Sequence, residues 1–186
     1  MAKIRWMKGC KLPICSGLTL VVMMLGSAQG QESSQAHEKS CRAYVQGFYD
    51  WYVPLLKRPS GDPTKLAVKR YRFSPDLVRQ LREDWAASAK SPGDIVGLDF
   101  DPFIDAQDLP EGRFVAGKVT RKGSNYLVEV SVLQRGKKTD DNVVVPELAF
   151  QDGQWSFVNF HYGDSGDLLS TLKQLREERQ QNHNHI

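Results

Sequence analysis

The chain has 186 residues, of which 40% are hydrophobic and 25% are charged, and its formal net charge is +3. Residues 1–30 carry four of the positive charges and no acid, so the remaining 156 residues have a formal net charge of −1. Nucleic-acid binding requires a basic surface on the folded domain, and this charge distribution excludes it. The length suits one domain with its own core better than two.

Residues 1–30 have the pattern of a cleavable secretory signal peptide. Four basic residues precede an apolar run over 17–25, and the small residues Ala28 and Gly30 permit cleavage before Gln31, with cleavage after Ala28 as the alternative. The run is roughly half of the 20 apolar residues that a membrane span needs, which disfavours an uncleaved anchor. We therefore expect a periplasmic or secreted protein of the Gram-negative envelope, with no stable membrane insertion after cleavage.

The three cysteines argue against both a lipid anchor and a disulfide. Cys10 and Cys15 precede the apolar run, whereas lipid attachment requires a cysteine after it. Cleavage would leave Cys41 alone, and a small buried thiol is favoured there over a reactive one. Residues 31–40 are polar and are predicted to form a disordered tether, while residues 41–179 are predicted to form a single domain.

The first predicted helix begins near Cys41 and has a wide apolar face. Its large apolar side chains recur at spacings of three and four: Tyr44, Val45, Phe48, Trp51, Tyr52, Leu55 and Leu56. Pro54 is expected to kink this helix or to end it near Tyr52 or Val53.

A short helical piece over 64–71 and a longer helix are predicted next. Ser74 is expected to cap the longer helix, because Pro75 follows it at the first helical position. Breaker residues end this helix by 91–93, and a structured loop follows over 96–112.

After this loop the apolar period changes to two, which predicts strands. The four strand candidates are 114–120, 126–133, 142–150 and 155–162. Their connections are short, so an antiparallel meander is expected, with Asp152-Gly153 as the sharpest hairpin signal. A final helix is predicted over 167–179, and residues 180–186 are expected to form a flexible tail.

This order of elements indicates an α+β fold, in which the N-terminal helices pack on one face of a curved, four-stranded antiparallel sheet and a C-terminal helix follows. The arrangement is typical of the NTF2-like and cystatin-like superfolds. Such folds often enclose a pocket between the sheet and the helices.

Several short motifs, in this order along the chain, support a family resemblance. They are FYDWY at 48–52, DPF at 101–103 with QD at 107–108, DGQW at 152–155, and the start of the last helix at 166–169. Together with the exported start, they resemble the bacterial envelope family called domain of unknown function 3828, over roughly 41–175. The resemblance implies a bacterial, exported, NTF2-like domain. It implies no reaction, since fold does not determine function.

The loop over 96–112 is the most polar cluster of the chain. It contains four aspartates: Asp99, Asp101, Asp105 and Asp108. A calcium-binding loop counted from Asp99 would require a glycine where Ile104 stands and a glutamate where Pro110 stands. These aspartates are therefore interpreted as turn formers that bond to their own backbone.

Other polar residues are candidates for ligand binding or catalysis only if the fold places them beside a pocket. The aromatic face of the first helix is favoured as core, with Tyr49 and Asp50 near its edge. His161 lies on the last predicted strand, and His183 and His185 are too few to anchor a metal. We predict no catalytic residue, metal or cofactor, since nucleophile motifs and phosphate loops are absent from the sequence. The candidate ligand-binding residues are Tyr49, Asp50, Tyr52, Asp101, Gln107, Asp108 and His161.

These observations favour a non-enzymatic envelope module that binds a small ligand or an envelope protein. The alternative is a small pocket enzyme, hydrolytic or isomerising, that uses Asp50, Tyr49 or His161. The two hypotheses differ in whether these side chains converge in a closed pocket with perturbed pKa values. Nothing in the sequence sets an oligomeric state.

Overall fold

A computed structural model describes residues 22–91 and 96–183 of the chain, without the side chains of 22–33, 140–143 and 182–183. Most of the predicted signal peptide lies outside the described residues. The chain divides into two compact units, residues 1–36 and residues 37–186. The fold described below is that of the second unit. No helix in the described ranges is long and apolar enough to cross a membrane.

The described chain contains α1 (Val22–Lys57), α2 (Pro63–Arg70), α3 (Pro75–Lys90) and α4 (Leu168–His183). Local capping explains where α2 and α3 start. The Asp62 carboxylate accepts hydrogen bonds from the backbone N–H groups of Thr64 and Lys65 at 3.0 and 3.3 Å. The Ser74 hydroxyl oxygen accepts one from the Leu77 N–H at 3.3 Å. The Ser74 cap predicted from the sequence is confirmed, and Asp62 is a second cap of the same kind.

The first helix is longer than the sequence predicts. Residues 31–40 are helical within α1, so the prediction of a disordered tether was wrong. This segment contains no proline or glycine, and its His37 ring lies 4.7 Å from the ring of Phe150. The helix also continues through Pro54 to Lys57. Proline removes one backbone hydrogen bond, to the carbonyl four residues earlier, and here that residue is the exposed Asp50.

The last helix also extends past its predicted end. It begins beside Asp167, whose carboxylate accepts hydrogen bonds from the backbone N–H and the hydroxyl of Ser170 at 3.0 and 2.9 Å. Residues 180–183, predicted to be part of a flexible tail, are helical in α4. Extending a helix that has already formed is easier than nucleating one, so α4 can continue past its predicted end. Residues 184–186 lie outside the described part of the chain.

The strands form one antiparallel sheet in chain order: β1 (Arg113–Lys122), β2 (Asn125–Gln134), β3 (Lys137–Gln151) and β4 (Gln154–His161). Tight turns connect them. The predicted turn at Asp152-Gly153 is confirmed, and Arg135-Gly136 forms a similar one; all four residues have φ between 52 and 77°. This conformation matches the twist of the flanking strands, so β3 pairs with β2 from Lys137 rather than from residue 142. The predicted α+β fold class is confirmed.

The free edge of β1 is bonded by side chains of α1. The Gln46 amide accepts a hydrogen bond from the Ala116 N–H at 2.9 Å and donates one to the Phe114 carbonyl at 3.1 Å. Arg42 donates to the Gly117 carbonyl at 2.7 Å. Gln46 thus presents one donor and one acceptor to this edge, as a neighbouring strand would.

Aromatic rings fill the space between α1 and the sheet. Phe48 has six aromatic neighbours at centroid distances of 4.9 to 6.5 Å: Tyr49, Tyr52, Tyr71, Phe73, Phe103 and Phe157. Phe48, Phe157 and Phe160 are fully buried. Side chains therefore occupy the region between α1 and the sheet, where a pocket was expected from the sequence. Cys41 is also fully buried, which confirms the prediction of a buried cysteine, and burial raises the pKa of its thiol to about 12.

Candidate functional site

Three buried tyrosines direct their hydroxyl groups at one short loop, residues 101–103. Tyr49 of α1 donates to the Phe103 carbonyl at 2.8 Å. Tyr52, one turn further along α1, donates to Asp101 Oδ2 at 2.7 Å. Tyr162, which follows β4, donates to the Pro102 carbonyl at 2.9 Å. The loop therefore receives a hydrogen bond at each of its three residues from the core.

The protonation chemistry of this cluster is that of a structural site. Burial raises the pKa of Asp101, although its carboxylate accepts hydrogen bonds from Tyr52 and from the backbone N–H of Phe103 at 2.9 Å. Burial also raises the pKa values of Tyr49, Tyr52 and Tyr162. These hydroxyls stay protonated at neutral pH and act as hydrogen-bond donors to the loop. None of them is placed to act as a base or nucleophile.

The remaining candidates on α1 and on the Asp-rich loop lie apart from this cluster. The half-exposed Asp50 accepts a hydrogen bond from Gln46 at 2.9 Å and lies 3.8 Å from the Arg113 guanidinium. Gln107 donates to Asp99 at 3.3 Å on the exposed part of the loop. Asp108 is exposed. In the described ranges, no three His, Cys, Asp or Glu side chains form a group that can hold a metal ion.

His161 lies on the face of the sheet that is turned away from α1. It alternates along the chain with the buried Phe160 and Tyr162, so its side chain points to the opposite face. Its Nε2 atom lies 2.7 Å from Glu147 Oε2, and Asn125 donates to Glu147 Oε1 at 2.7 Å. Burial tends to raise the pKa of Glu147, but these hydrogen bonds and the nearby Lys122 charge outweigh it, and the pKa is lowered. This cluster is separate from the tyrosine cluster.

A cavity of about 430 Å³ lies between α3 and the loop after it. Trp85 lines it, with the Lys65 ammonium 5.5 Å from the ring centroid. Its buried acid, Asp84, already accepts hydrogen bonds from Arg179 at 2.9 Å and from the Leu98 N–H at 3.1 Å. The polar groups of this cavity thus bind each other.

A second concave surface, of about 410 Å³, lies between the end of α2 and the β3–β4 turn. We call it the Tyr71 groove. It is lined by Tyr44, Arg70, Tyr71, Arg72, Gly153, Gln154 and Trp155. Its two sides are joined because residues 72–74 run beside β4: Phe157 N–H donates to the Arg72 carbonyl at 2.9 Å, and Ser74 N–H donates to the Phe157 carbonyl at 2.7 Å.

Hydrogen bonds fix the aromatic rings of the Tyr71 groove. Tyr71 donates its hydroxyl proton to the Gly47 carbonyl at 2.8 Å. The Tyr44 hydroxyl oxygen accepts a hydrogen bond from the Arg72 backbone N–H at 3.2 Å. Trp155 donates its indole N–H to the Ser40 hydroxyl at 3.2 Å. With these polar atoms bonded to protein, the rings are held in place as walls of the groove.

The lining residues of the groove did not stand out in the sequence. Tyr44 was interpreted there as part of the core face of the first helix, and residues 69–71 of the basic and aromatic run at 69–72 belonged to the short helical piece predicted over 64–71. That run, three cations around one tyrosine at the end of a helix, was the available signal. The run and residues 153–155 come together only in the tertiary structure, so no local sequence pattern predicts the groove.

Comparisons with known proteins add one structural neighbour. No family model and no curated protein matches the chain. A crystal structure of a protein of unknown function from Bacteroides thetaiotaomicron VPI-5482 shares 18% sequence identity with it, with a TM-score of 0.49. The match covers 72% of this chain and 97% of that one. A similarity of this size carries no conclusion about ligand or reaction.

Proposed function

We propose that this protein is an exported envelope module that binds a small ligand in the Tyr71 groove without transforming it. The observation that carries the proposal is a concave surface of about 410 Å³ whose aromatic walls are already fixed by hydrogen bonds to protein. Ligand sites are typically concave, largely formed in advance, and lined by aromatic side chains with a few polar groups. The groove has each of these properties.

The positions of the acid–base candidates support binding over catalysis. A pocket enzyme using Tyr49, Asp50 and His161 would need these groups around one substrate. Tyr49 is buried and bonded to the Phe103 carbonyl, Asp50 is on the exposed side of α1, and His161 is on the opposite face of the sheet. Tyr49 and Asp50 both line a small cavity of about 230 Å³, but the Tyr49 hydroxyl is bonded to the Phe103 carbonyl and His161 is on the other face of the sheet, so the three groups do not surround one substrate.

A ligand screen tests the binding part of the proposal. The isotope-labelled protein is titrated with a chemically diverse set of small molecules, and backbone and indole NMR signals are followed. We expect hits to shift the Trp155 indole signal and the amides of Gly153 and Gln154, and to be recovered chemically unchanged. Hits that map to the Trp85 cavity would contradict the assignment of the groove. Turnover of a bound compound would contradict the non-catalytic role.

A reporter fusion tests export. Residues 1–36 are fused to a phosphatase that is active only outside the cytoplasm, and the N-terminus of the product is sequenced. We expect activity and a product that begins at Gln31, or at Gln29 if cleavage follows Ala28. Leu20→Lys, which interrupts the apolar run, is the matched variant and should abolish activity. Activity that survives Leu20→Lys would refute the signal peptide.

A further inference from the structure

We propose that the Tyr71 groove selects ligands in which a flat ring carries a phosphate or carboxylate group, with Arg70 and Arg72 binding the anion. This inference rests on the proposed function and adds the chemical class of the ligand. Three features support it: the bonding of the two guanidinium groups, the aromatic rings that line the groove, and the charges of the lining residues.

Arg70 is held in place without using its hydrogen-bond donors. Its guanidinium carbon lies 5.1 Å from the centroid of the Trp51 ring, within the range of a cation–π contact. The side chain makes no hydrogen bond or ion pair within the part of the chain that the structure describes. A stacked guanidinium keeps its N–H edge free, and this edge matches the geometry of a phosphate or carboxylate.

Arg72 is oriented by a neutral partner. Its Nη1 atom donates to the Gln154 side-chain oxygen, which places the guanidinium on the groove wall without neutralising its charge. Within the described chain, neither Arg70 nor Arg72 forms an ion pair with a carboxylate. Among the described lining residues there is also no acid, since Asp152 precedes Gly153 in the turn but does not line the groove. The groove therefore carries two positive charges and no negative one.

The aromatic side chains of the groove account for the preference for a flat ring in the ligand. Tyr44 and Tyr71 meet edge to face with their ring centroids 5.6 Å apart, and the largely buried Trp155 also lines the groove. A flat ring can stack against such walls while its anionic substituent reaches the guanidinium edges. An inorganic anion would use only the charges, and a neutral ring would use only the walls.

The end of α2 explains part of this arrangement, but not all of it. Cations in the last turn of a helix favour the negative end of its dipole, which accounts for Lys69 and Arg70. It does not account for Arg72, which lies beyond the helix beside β4. It also does not account for Arg70 being stacked on Trp51, when a solvated cation would serve the dipole equally well.

Calorimetric and NMR titration with three probes tests the proposal. The probes are phenyl phosphate, inorganic phosphate and phenol, which separate the ring–anion combination from each part alone. We expect phenyl phosphate to bind at least tenfold more tightly than either other probe and to shift the Trp155 indole signal. Arg70→Gln and Arg72→Gln should each weaken its binding about tenfold or more, because each removes charge-assisted hydrogen bonds.

The matched control is Lys69→Gln, which removes the same charge from the same exposed helix end but does not line the groove. Thermal unfolding confirms that all three variants fold. Lys69→Gln should change phenyl phosphate binding less than twofold; an effect equal to that of Arg70→Gln would overturn the assignment of the arginines.

Phenol binding in the groove as tightly as phenyl phosphate would overturn the anion preference and leave the proposed function standing. Inorganic phosphate binding equally well would overturn the role of the ring. If no probe shifts groove signals, the ligand class is wrong, and the broader screen decides the proposed function separately.

Discussion

Five tyrosines of this protein fall into two groups. The hydroxyl groups of both are bonded to protein, but only the rings of the second group line the Tyr71 groove. Tyr49, Tyr52 and Tyr162 are buried, and each donates to the loop 101–103. Tyr44 and Tyr71 also bond to protein backbone, yet their rings line an open groove beside Arg70 and Arg72. The first group therefore holds the loop in the core, while the second lines the groove for which we propose ligand binding.

The difference shows why residue type alone misplaces a site. A tyrosine near an aspartate is typical of acid–base chemistry, and Tyr52 and Asp101 are in direct contact. Their contact is buried, and the other Asp101 oxygen accepts the Phe103 N–H, so the pair stabilises a turn. The guanidinium groups of the groove lack carboxylate partners in the described chain, and that is the property a binding site requires.

The largest expected effect comes from removing the buried ring of Phe48, which contacts Tyr49 and Tyr52 of the interior group. Phe48→Ala should lower the free energy of unfolding by about 3–5 kcal/mol, because a fully buried ring with six aromatic neighbours is lost. Tyr71→Ala, in the half-buried groove wall 5.1 Å from Phe48, is the comparison and should cost less. Urea unfolding measures both. Equal losses would remove the distinction between the two groups.

A smaller effect is expected from one interior hydroxyl. Tyr52→Phe should cost about 1–3 kcal/mol of unfolding free energy, because the buried Asp101 carboxylate loses a donor. Asp101→Asn is the control: its amide can accept from the Phe103 N–H and donate to the Tyr52 hydroxyl, so most of the bonding is retained. A stability of Tyr52→Phe equal to that of the wild type would show that the hydroxyl does not hold the loop.

The interior and the outer sheet face should respond oppositely to pH. The pKa of Asp101 is raised, so its contribution to stability is fully present below its unfolded pKa of about 3.9 and is lost as pH rises through its folded value. The pKa of Glu147 is lowered, so its contribution is present above an unfolded pKa of about 4.3 and is lost as pH falls through its folded value.

Urea titrations between about pH 3 and pH 8 measure these opposite slopes. Relative to the wild type, Asp101→Asn should become more stable as pH rises above about 4, since it buries no charge. The stability deficit of Glu147→Gln should shrink as pH falls below about 4. Parallel pH profiles of the two variants would contradict the assignment of opposite electrostatic environments.

Much of the fold follows from local sequence signals. The Ser74 cap and the Asp152-Gly153 hairpin need only neighbouring residues, and the alternation from Tyr126 marks a half-buried strand. Residues 31–40 were missed because polar composition was read as disorder, whereas α1 continues through them and His37 contacts Phe150. The start of β3 was missed because its charged residues show no apolar period, and its pairing is set by the preceding tight turn.

The site was less predictable than the fold. Tyr49, Tyr52 and Asp101 were recognised as candidates, but their role depends on contacts between residues 49 to 54 positions apart. The Tyr71 groove joins residues near 71 to residues 153–155 through the pairing beside β4. Sequence patterns describe one element at a time, so a site built from three elements leaves no single pattern to find.

The most direct test of the central claim is a crossed measurement on two variants. Phenyl phosphate affinity and the free energy of unfolding are measured for Tyr52→Phe and for the double variant Arg70→Gln/Arg72→Gln. We predict that Tyr52→Phe loses about 1–3 kcal/mol of stability and keeps its affinity, while the double variant loses affinity and changes stability by less than about 0.5 kcal/mol. Loss of affinity in Tyr52→Phe, with binding retained in the double variant, would contradict the account.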